Sequence, residues 1–100
     1  MKIQNEGRTL NVSEIVELTA TNSASFRDEV SAALRAFPTV IEVDLSKTQF
    51  LDSSGLGALF SLYQAGAVSD IPVRLLNPTP EVQQLLELTQ MQQLFEIVQR

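Results

Sequence analysis

The sequence predicts an α/β fold in which α-helices cover a four- or five-stranded mixed β-sheet. Residues 40–46, VIEVDLS, alternate apolar and acidic side chains with the two-residue period of a strand. Residues 21–37 and 77–89 instead carry apolar side chains at helical spacing. Strands and helices alternate along the chain, and this order favours parallel pairing of strands through helical crossovers.

The composition predicts a single domain over residues 1–100. The apolar content of 44% favours a folded chain, and no linker or internal repeat divides it. No apolar run approaches the roughly 20 residues that cross a bilayer, so membrane insertion is not expected. The chain has no cysteine, hence no disulfide, and its first residues do not resemble a secretory signal. These features predict a cytoplasmic protein.

Short strands are predicted at the start of the chain. The segment KIQNEGRTLNV, residues 2–12, is expected to form two strands around a turn at Glu6–Gly7. The segment SEIVEL, residues 13–18, is expected to continue as a strand with Ile15 and Val16 inside.

A helix is predicted over residues 21–37, where Pro38 ends it. Three side chains can cap its start: Asn22, Ser23 and Ser25. Five residues form its apolar stripe: Phe26, Val30, Ala33, Leu34 and Phe37. In the strand that follows, Glu42 and Asp44 are expected to lie on a solvated edge. The opposite face of that strand consists of Ile41, Val43 and Leu45.

A second helix is expected after residue 52, with its end at Gly66. Four residues at helical spacing are expected to share its buried face: Leu56, Leu59, Phe60 and Tyr63. Residues 71–76 predict a further strand, and Pro72 lies near its beginning, where a missing N–H matters least.

A third helix is predicted within residues 77–89. Thr79 suits its cap and Pro80 its first position. The buried side is expected to consist of Val82, Leu85 and Leu86. Residues 94–98 fit either an edge strand or a frayed turn. An exposed edge there could pair with another copy, so the oligomeric state stays open.

Residue types and charge restrict the function. The chain has no histidine, which excludes a Ser-His-Asp triad. Its net charge of -5, with only 7 scattered lysines and arginines, argues against nucleic acid as a partner. No metal site and no cofactor are expected.

The stretch FLDSSGLGALF, residues 50–60, holds the candidate functional residues. In the simplest interpretation Asp52 or Ser53 only caps a helix. Two glycines in one helical turn cost stability relative to alanine. Gly55 and Gly57 therefore indicate a close approach by backbone or by a partner.

Nucleotide binding and nucleophilic catalysis fit this stretch poorly. Neither a P-loop nor a dinucleotide-binding motif is present, and Lys47 precedes the turn instead of following it. The serines lack a histidine base and a G-x-S-x-G motif, and nothing orients Lys47 as a base. An enzyme with catalytic residues here is not expected.

Covalent modification of a serine is the remaining interpretation. A serine at a helix start is accessible to a kinase, and a phosphate adds about -1.5 to -2 charges at neutral pH. The helix dipole and free amides accommodate that charge, so the domain keeps its fold. A partner docked on the same surface would not tolerate the charge if it presented carboxylates or a dry contact there.

The segment VIEVDLSKTQFLDSSGLGALFSLYQAG, residues 40–66, resembles the core of STAS domains, especially the small bacterial anti-sigma factor antagonists. In that family a hydrophobic strand leads into a D-S-[ST]-G-L-G-x-L turn and helix. VRLLNPTPEVQQLLELTQMQQLFEI, residues 73–97, is similar to the closing strand and helix of the family. ELTATNSASFRDEV, residues 17–30, is more loosely similar to its front part.

The resemblance implies a protein-binding domain without catalysis of its own. It implies that an anti-sigma factor serine kinase phosphorylates Ser53, with Ser54 as a minor candidate, and that a serine phosphatase reverses this. The unphosphorylated form would bind the kinase and free a sigma factor. The implied partner-binding residues are Asp52, Ser53, Ser54, Gly55, Leu56, Gly57, Thr19 and Asn22.

One position departs from the family pattern. Many members carry Leu-Asp at the end of the strand before the first helix, where this chain has Leu18–Thr19. Loss of an acidic contact implies a change in which kinase is recognised. The alternative function within the same fold is a constitutive scaffold subunit of a transporter, lipid-trafficking or sensory complex.

Overall fold

A five-stranded mixed β-sheet forms the centre of the structure. The computed structural model describes residues 1–100, and its main sheet has the strand order β1-β2-β4-β6-β7. The strands are β1 (Lys2–Glu6), β2 (Thr9–Ser13), β3 (Glu17–Leu18), β4 (Val40–Asp44), β5 (Phe50–Leu51), β6 (Val73–Leu76) and β7 (Glu96–Val98). β1 runs antiparallel to β2 and the other neighbours are parallel, which confirms the predicted α/β fold.

Three α-helices pack on one face of this sheet and share a single core with it. They are α1 (Ser23–Ala33), α2 (Ser53–Val68) and α3 (Pro80–Leu88). The core joins apolar side chains of the inner strands to the helices, among them Leu10, Ile41, Val43, Leu75, Phe26, Leu59 and Leu86. The opposite sheet face is polar, because the alternate residues of the same strands are Gln4, Asn11, Glu42, Arg74 and Glu96.

The predicted strand over residues 13–18 is mostly irregular chain. Only β3 forms there, and it pairs in parallel with the equally short β5 in a separate sheet. Glu14 has a left-handed backbone, with φ of 57°, so the strand alternation is broken there. Ile15 is buried as expected, but Val16 is 54% exposed, and its predicted burial was wrong.

α1 is shorter than predicted. It ends at Ala33 and continues as one 3-10 turn to Ala36. Phe37, predicted to face the core, is 72% exposed, because its backbone is left-handed and helical spacing no longer sets its direction. Pro38 does follow the end of the helical segment, as the sequence indicates.

α2 is longer than predicted and buries a different face. It passes Gly66 and ends at Val68. Its buried residues are Gly55, Ala58, Leu59, Leu62 and Gly66. Phe60 is therefore exposed, and Leu56 and Tyr63 are half-buried. A Cβ on Gly66 would collide with the carbonyl oxygen of Ile71, so close packing on the next segment explains this glycine.

Glu42 does not lie on a solvated edge. It belongs to β4, the central strand, and is only 9% exposed. Its carboxylate pairs with Arg100 at 3.1 Å and with Arg74 at 3.4 Å, and these two side chains cover it on the polar face. Asp44 is half-buried and accepts a hydrogen bond from the Ser46 amide at 2.9 Å.

The third helix and a last edge strand form where the sequence predicts them. Thr79 is the N-cap of α3 and Pro80 its first residue, as predicted, but the Thr79 hydroxyl donates to the carbonyl of Thr48 at 3.0 Å and makes no capping hydrogen bond. Val82 and Leu86 are buried, whereas Leu85 is only half-buried. The segment after α3 forms β7, an edge strand parallel to β6, which decides against a frayed turn. No helix in the structure is long and apolar enough to cross a bilayer.

Candidate functional site

Asp52 forms the N-cap of α2. Its backbone is extended, and its Oδ1 accepts a hydrogen bond from the Gly55 amide at 2.9 Å. This contact satisfies one of the amides that a helix start leaves without a partner. Of the two capping residues that the sequence allows, the structure uses Asp52, and Ser53 becomes the first helical residue.

The second oxygen of Asp52 reaches a different part of the chain. Oδ2 accepts a hydrogen bond at 3.1 Å from the amide of Ala20, which lies in the loop between β3 and α1. The Gly55 bond, and after it the Ala20 bond, favour the charged carboxylate and lower the pKa of Asp52 below its ordinary value of 3.8. One side chain thus joins the start of α2 to the loop before α1.

The loop before α1, residues 19–22, is held by its own hydrogen bonds. Asn22 accepts from the Thr19 amide at 2.9 Å and donates to the Glu17 carbonyl at 2.8 Å, so both ends of its amide are used. The Thr19 hydroxyl accepts from the Thr21 amide at 3.3 Å. Asn22 therefore shapes the loop, and Thr19 remains half-buried beside the exposed Ala20 and Thr21.

The two glycines of α2 have different surroundings. Gly55 is buried, and a Cβ there would overlap the carbonyl oxygen of Leu18 and lie 2.7 Å from a methyl carbon of Leu51. A Cβ on Gly57 would meet only the Arg27 guanidinium, at 3.1 Å. The close approach that the sequence indicates is therefore backbone packing at Gly55, whereas Gly57 faces a flexible side chain.

Ser53 is exposed at the first position of α2. No hydrogen bond from either serine hydroxyl to another group of the chain is present, and Ser54 is half-buried. Leu56 packs partly against the core. Within the predicted set, Asp52 and Ser53 are thus the accessible residues. Gly55 is buried, and Leu56 and Asn22 are half-buried.

Exposed apolar side chains lie near this centre, and sequence reasoning missed them. Phe50 in β5 is 60% exposed, and Val16 is exposed just before the neighbouring β3. The Val16 carbonyl accepts from the Gln49 amide at 2.8 Å and from the Phe50 amide at 3.4 Å, which places these segments side by side. Val16 and Phe50 differ from core residues only in being exposed. The residue type alone does not show whether an apolar side chain is exposed.

Residues 52–57 lie on an open surface, whereas Asn22 and Val16 line a cleft of about 180 Å³. Four clefts are present, and residues 52–57 line none of them. The most spacious, about 330 Å³, is lined by residues near the end of α2 such as Tyr63 and Ile71. No group of three or more acidic side chains is arranged to hold a metal ion. Lys47, exposed in the turn after β4, makes no hydrogen bond or ion pair with Ser53.

A family model described as the STAS domain matches residues 2–100. The chain belongs to the STAS domain family. This confirms the family that the Asp52–Gly57 stretch and its flanking elements indicate.

Among curated proteins, a STAS-domain-containing protein of Pseudomonas aeruginosa is 38% identical over 55 residues of this STAS domain. The match covers 55% of this chain and 54% of that protein, so it spans about half the length of each.

Solved structures of anti-sigma factor antagonists share the fold of this STAS domain. A Thermotoga maritima protein described as one has a TM-score of 0.90 at 21% identity, over 97% of this chain and 84% of that one. SpoIIAA in its unphosphorylated form has a TM-score of 0.78 at 24% identity, over 96% and 85%. An antagonist from Mycobacterium paratuberculosis has a TM-score of 0.76 at 19% identity, over 97% and 82%. At these identities the likeness concerns the fold.

Proposed function

We propose that this STAS domain is a cytoplasmic, non-catalytic binding module that acts as an anti-sigma factor antagonist. In its unphosphorylated form it sequesters an anti-sigma factor serine kinase, the kinase phosphorylates Ser53, and a serine phosphatase restores the binding form. The observation that carries the proposal is the exposed Ser53 hydroxyl at the start of α2, which makes no hydrogen bond within the chain.

A phosphate on Ser53 would change binding and leave the fold intact. The Ser53 hydroxyl makes no hydrogen bond within the chain, so its modification breaks none. The start of a helix favours a negative charge through the free amides and the helix dipole. The phosphate would, however, stand beside the Asp52 carboxylate, and the two together would make this surface strongly acidic.

The surface around Ser53 suits a protein partner better than a small molecule. Residues 52–57 line no cavity, and small ligands usually require one. Asp52 and Ser53 are flanked by the exposed side chains of Phe50 and Val16, so polar and apolar contacts lie close together. In a contact of this kind, a new charge that is buried without a partner weakens binding.

Thr19 is proposed to affect the choice of kinase and not the shape of the site. Its hydroxyl accepts the hydrogen bond from Thr21, a role that an aspartate carboxylate could fill equally well. The difference is therefore one of charge. A kinase with a neutral or apolar surface opposite Thr19 is expected to bind in preference to one that presents a cation there.

Affinity purification from an extract of the host tests the proposal. Wild-type protein should retain an ATP-binding serine kinase, and Ser53→Asp should lose it, because the variant imitates the added charge. Ser69→Asp is the matched control, since it makes the same change in charge at the exposed end of α2. The control should retain the kinase.

Two outcomes contradict the proposal. Equal retention of the kinase by wild type and Ser53→Asp would remove Ser53 from control of binding. Retention of a transporter ATPase or a scaffold complex by both proteins would favour the constitutive scaffold function instead.

A further inference from the structure

The β1 edge of the main sheet has no neighbour within the chain. β1 pairs only with β2, and four of its five residues are exposed, with Ile3 half-buried. An edge of this kind presents unpaired backbone N–H and C=O groups that can receive another strand. No proline interrupts Lys2–Glu6, so the whole strand is available for pairing.

The charges on β1 are arranged symmetrically about its centre. Lys2, Gln4 and Glu6 share one side of the strand and line a cleft on the polar face of the sheet. Lys2 and Glu6 stand two residues before and two residues after Gln4. Neither takes part in an ion pair within the chain, because every ion pair of the structure joins Glu42, Arg74, Glu96 and Arg100.

A second copy of β1 is the strand that matches this pattern. In antiparallel pairing about a two-fold axis at Gln4, Lys2 of each copy lies directly opposite Glu6 of the other. Opposite charges at such positions stabilise an antiparallel pair, and like charges destabilise it. Gln4 lies opposite its own counterpart, and Ile3 lies opposite Asn5 on the other face of the strand.

We propose that β1 is a self-recognition edge that joins two copies of the chain into a dimer with one continuous sheet. Charged residues on an edge strand normally prevent association with other strands. In a parallel pair of β1 strands in register, like charges would face each other. In the antiparallel pair, Lys2 faces Glu6, so the antiparallel copy is favoured. The same patch serves both subunits, as a closed two-fold dimer requires.

The other edge of the sheet does not offer this match. β7 has only three residues, and its one charged side chain, Glu96, already pairs with Arg74 at 2.9 Å. Antiparallel self-pairing of β7 would place Glu96 opposite Val98. The structure therefore favours β1 over the C-terminal segment, where the sequence suggested that another copy could pair.

The dimer is expected to be weak and dependent on concentration. Two paired five-residue strands bury much less area than a standard stable interface. None of residues 19–22 and 52–57 belongs to β1, and the test measures the oligomeric state, so its result is separate from the role proposed for Ser53.

Sedimentation equilibrium on the untagged full chain, up to millimolar concentration, tests the proposal. Wild type should show a dimer that weakens at high salt. Lys2→Glu and Glu6→Lys should each raise the dissociation constant on the order of tenfold or more, since each places like charges opposite each other twice. Circular dichroism should show that both variants keep the wild-type fold, because both side chains are exposed.

A mixture of the two single variants gives the decisive readout. One variant carries acidic residues at positions 2 and 6, and the other carries lysines there. In the mixed dimer, both pairs of opposed side chains therefore join opposite charges. With one variant labelled with ¹⁵N, native mass spectrometry should detect the mixed dimer in excess over either self-dimer. A monomeric wild type, or a mixture without this preference, would overturn the proposal.

Discussion

Asp52 Oδ2 accepts a hydrogen bond from the backbone amide of Ala20 at 3.1 Å, across 32 positions of the chain. The other carboxylate oxygen caps α2 through Gly55. The loop before α1 and the start of α2 therefore form one surface, with Ser53 at its centre. In the proposed switch, this bond holds in place the backbone that a partner would contact.

Removal of this carboxylate should loosen both segments. In Asp52→Ala, the amides of Ala20 and Gly55 lose their acceptor and should exchange hydrogen faster than in wild type. The melting temperature should fall, since α2 loses its cap. Asp28→Ala is the control, because Asp28 is an exposed acid of α1 without a hydrogen bond or ion pair. Unchanged exchange at both amides would show that the Asp52 bonds do not persist in solution.

The Asp52 carboxylate should also make the free energy of unfolding depend on pH. The Gly55 and Ala20 amides lower the pKa of Asp52 in the folded chain. A lowered pKa contributes stability above the pKa of the unfolded chain, and this contribution is lost as pH falls through the folded value. Free energies of unfolding in urea, measured from about pH 5 to about pH 2, should therefore decrease more steeply for wild type than for Asp52→Asn. An equal decrease of the free energy of unfolding in the two proteins would contradict a lowered pKa of Asp52.

Alanine substitutions at the two glycines of α2 should have opposite effects. Gly55→Ala places a methyl group against the Leu18 carbonyl and Leu51, and should cost about 1–3 kcal/mol or more in free energy of unfolding. Gly57→Ala meets only the movable Arg27 side chain and removes a flexible residue from a helix, so a gain of up to about 1 kcal/mol is expected. Chemical denaturation measures both. Equal effects would contradict the different packing of the two sites.

The contrast between these glycines shows what the sequence can and cannot predict. Helical spacing and turn residues predict the order of elements, and the Asp-Ser-Ser-Gly turn predicts a capped helix start. Which of Asp52 and Ser53 caps the helix depends on a backbone angle, and the Ala20 bond joins segments far apart in the chain. Neither is encoded in local spacing.

The errors in the predicted core have similar causes. Val16 and Phe37 follow apolar patterns, but left-handed residues at Glu14 and at Phe37 itself interrupt the local geometry. Glu42 alternates like a solvent-facing strand residue, yet β4 is central, and two arginines from distant segments cover it. A left-handed residue thus breaks the local period at Val16 and Phe37, whereas at Glu42 the period is correct and tertiary structure covers the side chain.

Stability should change little when a negative charge replaces the Ser53 hydroxyl. Ser53→Asp places that charge at a helix start, where the dipole favours it and Asp52 opposes it, so the free energy of unfolding should stay within about 1 kcal/mol of wild type. Ser53→Ala should be similarly mild, because the hydroxyl makes no hydrogen bond. Thermal unfolding of both variants measures this. A large loss would mean that Ser53 is structural and would weaken its proposed role as a switch.

Phosphoryl transfer to Ser53 tests the central claim most directly. The kinase retained by the wild-type protein is incubated with ATP and with wild type, Ser53→Ala and Ser54→Ala, and each product is measured by intact mass and peptide mapping. Wild type and Ser54→Ala should each gain one phosphate on Ser53, and Ser53→Ala should gain none. A phosphate at another residue of wild type, or an unchanged gain in Ser53→Ala, would contradict the account.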